Sequence, residues 1–497
     1  MWLAFALAKV ALHLPALTQY GWFRDEFYYV ACARHLAWGY VDHPPLSIAV
    51  LAAVRVVAGD SLAMLRLVPV FAGAATAYLT GRLAMEVGGG RFAQALACLA
   101  TLMAPIYLGM CRFYSMNAFD LLLWTGAALA LVVALRKGLG RHWMLLGVVM
   151  GLGLLNKISM LWFGGGLLVG LALSSHRRWL FTRWPYLAGA LALVLFLPHL
   201  VWQAAHLWPT LEFMRNAAGQ KMVAVSPVDF LLGQWRVMGP VNVLVYLPGL
   251  LFALFAPSAR AWRILGVIFV VTAVLLIAAG TSRVSYLAVA YPTLFALGGA
   301  FHERWTASRR AWRGIVLAAV GLLGLPFVPL ALPILPVETF IRYQAALGVQ
   351  PSTEERKRVG PLPQHYADMF GWKELVAEVA GACRLLTPDE QRRAVVFGQN
   401  YGEAGAVEVL GRKLGLPLAI SGHNNYALWG PGDWDGSVII IIGGDADDNA
   451  EWFESLEQVG VWDHPYAMPY ERGSGIFIGR GLRSPPAQAW PMLRHFD

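Results

Sequence analysis

Trp22-Phe23-Arg24-Asp25-Glu26-Phe27-Tyr28-Tyr29 and, a little further on, Gly39-Tyr40-Val41-Asp42-His43-Pro44-Pro45-Leu46 follow directly on the first apolar run of the chain. Residues 1–336 contain only nine Asp and Glu, and three of them, Asp25, Glu26 and Asp42, fall in these two stretches. Carboxylates beside a bilayer are costly to keep, so a cluster there points to function. The competing reading is a solvated loop with ordinary surface acids.

Working outward, the chain has 497 residues, 58% hydrophobic and only 14% charged, with a mean hydropathy of +0.54. Soluble domains carry about 25% charged residues, so the composition is that of a membrane protein. Charge divides unevenly. Residues 1–336 hold 25 Lys/Arg against 9 Asp/Glu, whereas residues 337–497 hold 14 against 21. The positive charge therefore belongs to turns between spans and gives no sign of a nucleic-acid partner. Cys32, Cys98, Cys111 and Cys383 show neither metal nor redox spacing. The first run lacks a basic start and a small-residue cleavage site, and is expected to stay as a first span.

Apolar runs that could span lie at about 1–19, 62–82, 91–110, 117–136, 143–156, 158–175, 184–203, 230–256, 262–280, 285–301 and 313–333, with about 20 residues per span as the guide. Leu46 to Ala58 is too short and is expected to lie flat on the outer surface. Arg/Lys clusters at the intervening turns then place the N-terminus inside, and loop 20–61 and everything after 336 outside. The expected architecture is a polytopic α-helical membrane domain over 1–336 with about eleven spans, a linker over 337–365, and an extracytoplasmic soluble α/β domain over 366–497.

This trace collects Arg24, Asp25, Glu26, Asp42, His43, Arg112, Asn117, Asp120, Lys157, Arg283 and Tyr286 at outer span ends. Each cation alone could simply snorkel to the interface. Lys157 fits that less well, because it occupies a tight turn between two apolar runs. In the tail, Ala394–Phe397, Val438–Ile442 and Ile476–Ile478 read as strands, and about 370–386 and 402–414 as helices. Gly398-Gln399-Asn400-Tyr401-Gly402 and Gly443-Gly444-Asp445 then sit at strand ends, where α/β folds bind ligands. Neither is a nucleotide-binding glycine motif. The polar run Ser421–Tyr426 is a candidate for substrate contact, or a plain surface loop.

Asp25-Glu26-x-x-Tyr29, Gly39-Tyr40-x-x-His43-Pro44-Pro45-Leu46, Leu65-Arg66-Leu67-x-Pro69, Gly151-Leu152-Gly153-Leu154-Leu155-Asn156-Lys157 and Tyr286-Leu287-Ala288-x-x-Tyr291-Pro292 together resemble glycosyltransferase family 39 in its bacterial form. That family belongs to the GT-C superfamily, with the protein mannosyltransferases and lipid A aminoarabinose transferases. The resemblance covers about 1–335, and the tail resembles an extra region of one bacterial subgroup. It implies an inner-membrane enzyme that moves a sugar from a polyprenyl-phosphate donor to a lipid, glycan or protein acceptor outside the cytoplasm. It also implies that Asp25 is the key carboxylate. Two positions depart from the pattern: Asn117 stands where members often have Asp, with Asp120 one turn later, and His43 stands where aminoarabinose transferases often have Lys.

On this reading Asp25 is the base and Glu26 orients it or meets the acceptor. Lys157, Arg283 and Arg112 hold the departing phosphate. Arg24, Tyr29, Asp42, His43, Asn117, Asp120 and Tyr286 complete the substrate-binding set. No cofactor is required, although Asp25, Glu26 and Asp42 could share a divalent metal. The alternative function is a transporter or lipid flippase, but such proteins place charges near the midplane on broken helices.

Overall fold

The computed structural model describes residues 1–497. Helices occupy all eleven apolar runs. Six are long and apolar enough to cross a membrane: Leu62–Glu86, Met116–Lys137, Trp184–Ala205, Pro257–Ala278, Val284–Trp305 and Arg310–Ala331. Trp2–Ala16, Arg91–Met103 and Met160–Leu173 are shorter apolar helices within the same bundle. Leu46–Ala58, at 13 residues, is about 20 Å long, too short to cross. Ser47, Ile48 and Leu51 turn inward while Val56 and Val57 are exposed, as an interfacial helix requires.

One expected span is broken. The run 230–256 is two helices, Pro227–Met238 and Pro240–Phe255, set at 106°. Gly239, at φ +86°, and Pro240 lie at the break. A positive φ ends the first helix, and proline can begin the second but cannot continue the first. The second half then packs closely through glycine. A Cβ on Gly249 would collide with the backbone of Leu294 and Gly298, which is how small residues let membrane helices approach.

The tail holds a five-stranded sheet: β1 Val395–Gly398, β2 Leu418–Ile420, β3 Val438–Ile442, β4 Phe453–Trp462 and β5 Ser474–Leu482. Their order is β2-β1-β3-β5-β4, with β1 parallel to β2 and β3, and β5 antiparallel to β3 and β4. Two of these strands escaped the sequence pattern. β2 has three residues, and β4 is an edge strand with Glu454 and Glu457 and an irregular register between Gln458 and Gly460. Charge and irregularity are how edges resist pairing, and they also erase alternation.

The tail does not stand apart on a spacer. Val337–Ala346 is helical, and the stretch after it is pinned to the loop below: Arg356 N–H donates to the Lys221 carbonyl at 2.9 Å. Helix Tyr401–Leu410 lies directly on helix Arg24–Arg34, and a Cβ on Gly405 would come within 2.7 Å of Phe27. Trp22, Phe27, Val30 and Ile48 share one apolar core with Trp372, Leu375, Val379, Val407, Ile440 and Ile476. The domain boundary expected at 366 is therefore a boundary of composition and not of packing, and the tail lies on the same side of the bundle as the Asp25 loop.

Candidate active site

Helix Arg24–Arg34 begins where the chain leaves the first helix, and its first turn sets the site. Glu26 faces inward. Its Oε1 accepts from Arg66 Nε and Tyr114 N–H, both at 2.9 Å. Its Oε2 accepts from Arg66 Nη2 at 2.7 Å and Phe23 N–H at 2.9 Å. Arg66 also donates to the Leu17 and Gly21 carbonyls. Both side chains are 1% exposed. This two-pronged pair ties the first-helix exit, the loop, the helix Leu62–Glu86 and the Tyr114 turn into one knot. All of Glu26's oxygens are spoken for, so it has no capacity to meet an acceptor.

Asp25, one residue earlier, points the other way into a cavity of about 430 Å³. Its Oδ1 accepts from Tyr401 Oη at 2.9 Å and lies 3.7 Å from Arg24 Nε. Tyr401 belongs to the tail. It is 7% exposed, stacked on Tyr28 at 4.6 Å, and carries Arg24 over its ring. Asn400 caps its helix by accepting from Gly402 N–H and Glu403 N–H. The turn 398–402 thus reaches the loop carboxylate through Tyr401.

Eight of the twelve expected site residues line this cavity: Arg24, Asp25, Arg112, Asn117, Asp120, Lys157, Arg283 and Tyr286. Lys157 Nζ donates to Asn117 Oδ1 at 2.8 Å, lies 3.8 Å from Asp120, and sits 5.0 Å over the Tyr286 ring. Asp120 accepts from Ser159 Oγ. Asn117 and Asp120 therefore share the task of holding Lys157. Arg112 pairs with no carboxylate. It donates to the Ala331 and His365 carbonyls and lies 4.4 Å over Tyr366, leaving its positive charge uncompensated.

Glu26, Tyr29, Asp42 and His43 do not reach the cavity. Tyr29 Oη accepts from Met116 N–H and its ring stacks on His43. Asp42 accepts from Tyr28 Oη at 2.8 Å and lies 3.8 Å from His43 Nε2. They form the back of the loop: alternate faces of a helix cannot all look into one cavity. For the same reason Asp25, Glu26 and Asp42 do not converge on one ion. The set whose ligand atoms do come within 4.8 Å of one another is His423, His495 and Asp497, elsewhere in the tail. The run Ser421–Tyr426 likewise faces the loop, with Asn425 bonded to Tyr28 and to Val41 N–H.

The expected linker supplies residues that the sequence did not mark. Ser352, Thr353, Glu354, Glu355, Gln364 and His365, with Asp368 just past the linker, close the cavity wall. Glu355 Oε1 accepts from Arg283 Nη2 at 2.7 Å. Burial works against its charge, but Lys221, Arg24 and Arg283 outweigh that and hold its carboxyl down at about 2. Burial pushes Glu403, behind the cavity, up to about 7, and also raises Asp368 in its wall and Glu471 beyond, against the pull of Arg24. Pro105, Ile106, Met110, Val237, Val289 and Leu330 add apolar surface to the same lining. A lining that combines cations with apolar side chains suits an amphipathic ligand with an anionic head.

The sequence profile described as dolichyl-phosphate-mannose-protein mannosyltransferase matches residues 42–202. No curated protein matches by sequence. Among solved structures, ArnT from Cupriavidus metallidurans bound to undecaprenyl phosphate superposes with a TM-score of 0.62 at 15% identity, over 96% of this chain and 97% of that one. The oligosaccharyltransferase AglB from Archaeoglobus fulgidus, in complex with an inhibitory peptide and a dolichol-phosphate, gives 0.53 at 11% identity, over 89% of this chain and 69% of that one. Arabinofuranosyltransferase AftD from Mycobacteria gives 0.51 at 14% identity, over 97% and 41%. The chain thus shares the fold of these membrane proteins along almost its whole length, and the mannosyltransferase profile matches about a third of it, residues 42–202.

Proposed function

We propose that this protein is an integral membrane glycosyltransferase that takes a sugar from a polyprenyl-phosphate donor and passes it, with inversion, to an acceptor on the extracytoplasmic face. The observation that carries this reading is the cavity's two chemistries. Its lining brings Asp25 together with Arg24, Arg112, Lys157 and Arg283, and also includes Pro105, Ile106, Met110, Val237, Val289 and Leu330. A hydrocarbon-bearing phosphate satisfies both. Two neighbours by fold were captured with undecaprenyl phosphate and with a dolichol-phosphate, which supports the donor class. The acceptor is a lipid, glycan or protein, and the membrane is the bacterial inner membrane with the tail outside.

In the reaction the acceptor hydroxyl gives its proton to Asp25. Oδ1 is already engaged by Tyr401, and Oδ2 accepts no hydrogen bond within the protein, so Oδ2 takes the proton. The acceptor oxygen attacks the anomeric carbon from the face opposite the phosphate. The bond from that carbon to the phosphate oxygen breaks, and the phosphate leaves with the electron pair. Arg112, Lys157 and Arg283 meet the charge that grows on it. Arg283 can do so while Nη2 still donates to Glu355, because its Nη1 makes no hydrogen bond within the protein. A transporter is less well supported, because the polar groups are gathered at one end of the bundle by extramembrane segments.

The test is turnover of a polyprenyl-phosphate sugar by Asp25→Asn in liposomes. Asparagine keeps size and hydrogen bonding but cannot take the proton, so transfer should fall about 10²–10⁴-fold with donor binding retained. Near-normal turnover would overturn the assignment.

A further inference from the structure

The tail sheet has two faces, and docking onto the loop uses only one. Val396, Ile440, Ile442 and Ile476 join the core shared with helix Arg24–Arg34. Val395, Ile439, Ile441 and Phe477 look the other way, into a core of only six buried residues. The cover on that outer face is incomplete. Between it, helix Pro486–Leu493 and the short helix Ala446–Trp452 lies a second cavity of about 220 Å³.

Its lining combines two kinds of residue. Ile420, Ile439 and Ile441 make an apolar floor, and the indoles of Trp434, Trp452 and Trp490, each half-buried, make the walls. Trp434 Nε1 donates to the Val438 carbonyl and Trp490 Nε1 to the Ala427 carbonyl, both at 2.9 Å, which fixes both rings. Trp452 Nε1 makes no such bond and is free to donate. Gln399, Asp445, Asp448 and Asn449 add polar groups beyond the carboxyl ends of β1 and β3, where α/β sheets bind ligands. No lysine or arginine lines the space.

This chemistry narrows the occupant. An anion is disfavoured by two aspartates with no cation. A purely apolar ligand would make no use of the polar rim of Gln399, Asp445, Asp448 and Asn449. Indole faces pack against the C–H face of a saccharide ring, while carboxylates and amides bind its hydroxyls or an amino group. Drug-sized ligands fill about 300–1,000 Å³, so this smaller space suits a single ring. We propose that the cavity is a second carbohydrate site, binding one neutral or amino-bearing sugar unit, apart from the Asp25 cavity. The inference does not depend on the transfer reaction.

The full-length protein in detergent is titrated calorimetrically with methyl mannoside, methyl arabinoside, methyl glucosaminide, N-acetylglucosamine and mannose phosphate. At least one uncharged or amino sugar should bind. Trp452→Ala should weaken it about tenfold and Trp452→Phe less. Asp448→Asn should weaken an amino sugar in particular, and Asp25→Asn should leave the affinity unchanged. Thermal melting of each variant separates lost binding from lost folding. A glycolipid ending in the same sugar tells the source: equal affinity means that the ring alone is read, and tighter binding means that it is presented on a larger glycan, either result supporting the site. Binding by none of the sugars, or by mannose phosphate alone, overturns the proposal. So does binding that survives Trp452→Ala in folded protein, or that is lost in Asp25→Asn.

Discussion

Replacing Glu26 by Gln separates structure from chemistry at two neighbouring carboxylates. Glu26 receives two bonds from Arg66 and one each from the Phe23 and Tyr114 amides. Glutamine offers one oxygen, and its NH₂ would face donors where the second oxygen stood. More seriously, Arg66 would remain as a charge buried to the same 1% exposure with no counterion. Breaking one half of a buried pair costs about 3–5 kcal/mol. That shifts the balance between native and opened protein about 150- to 5,000-fold. The expected result is poor yield and early melting in detergent, with any surviving folded protein still active. Glu26→Met combined with Arg66→Met removes both charges and should recover most of the stability, since replacing a whole buried pair by apolar groups is often neutral. The assay is melting of detergent-solubilised protein, with transfer measured on the folded fraction. If Glu26→Gln melts like the parent but fails in transfer, Glu26 takes part in the chemistry and the knot argument is refuted.

Tyr401→Phe removes one hydrogen bond to Asp25 and should lower kcat about tenfold with little change in donor KM, as loss of a bond to a charged group costs about 1.5–3 kcal/mol; an unchanged kcat would show that the contact only docks the tail. Lys157→Ala and Arg283→Ala should each raise donor KM by about 1.5–3 kcal/mol worth of affinity while sparing acceptor KM, and wild-type donor kinetics in either would reduce that residue to an interfacial anchor. Glu403 gives a pH signature. Its carboxyl is raised to about 7 by burial, so the folded protein binds the proton more tightly than the unfolded chain does. Its contribution is fully present below about 4.5 and is lost as pH rises through about 7, a change of roughly 3 kcal/mol. Glu403→Gln should therefore flatten the fall in melting temperature between pH 5 and 8, and an unaltered profile would contradict the shift.

What the sequence disclosed follows from how far each signal reaches along the chain. The apolar runs and the Asp25 loop were legible because carboxylates are scarce in the first 336 residues, so each one stands out. Arg66 was visible within a motif but silent about its role, because its partner is 40 positions away. The broken helix at Gly239 and Pro240 was hidden inside an uninterrupted apolar run, where hydropathy outvoted two residues of turn chemistry. The wall formed by Glu354, Glu355 and Gln364 read as a spacer, since polar composition without periodicity says nothing about where a segment packs. Tyr29, Asp42 and His43 were grouped with the site by nearness in sequence, but the loop turns them to its rear, where they hold it in shape.

The bond between Tyr401 and Asp25 joins residues 376 positions apart. At about 5–20 residues per second, the ribosome makes the second partner roughly 20–75 s after the first. During that interval the helices can enter the bilayer and the loop can emerge, yet the carboxylate lacks the hydroxyl that orients it and the segment that closes its cavity. The early loop is therefore finished only when a segment made hundreds of residues later folds back onto it, whatever the helices between have already done.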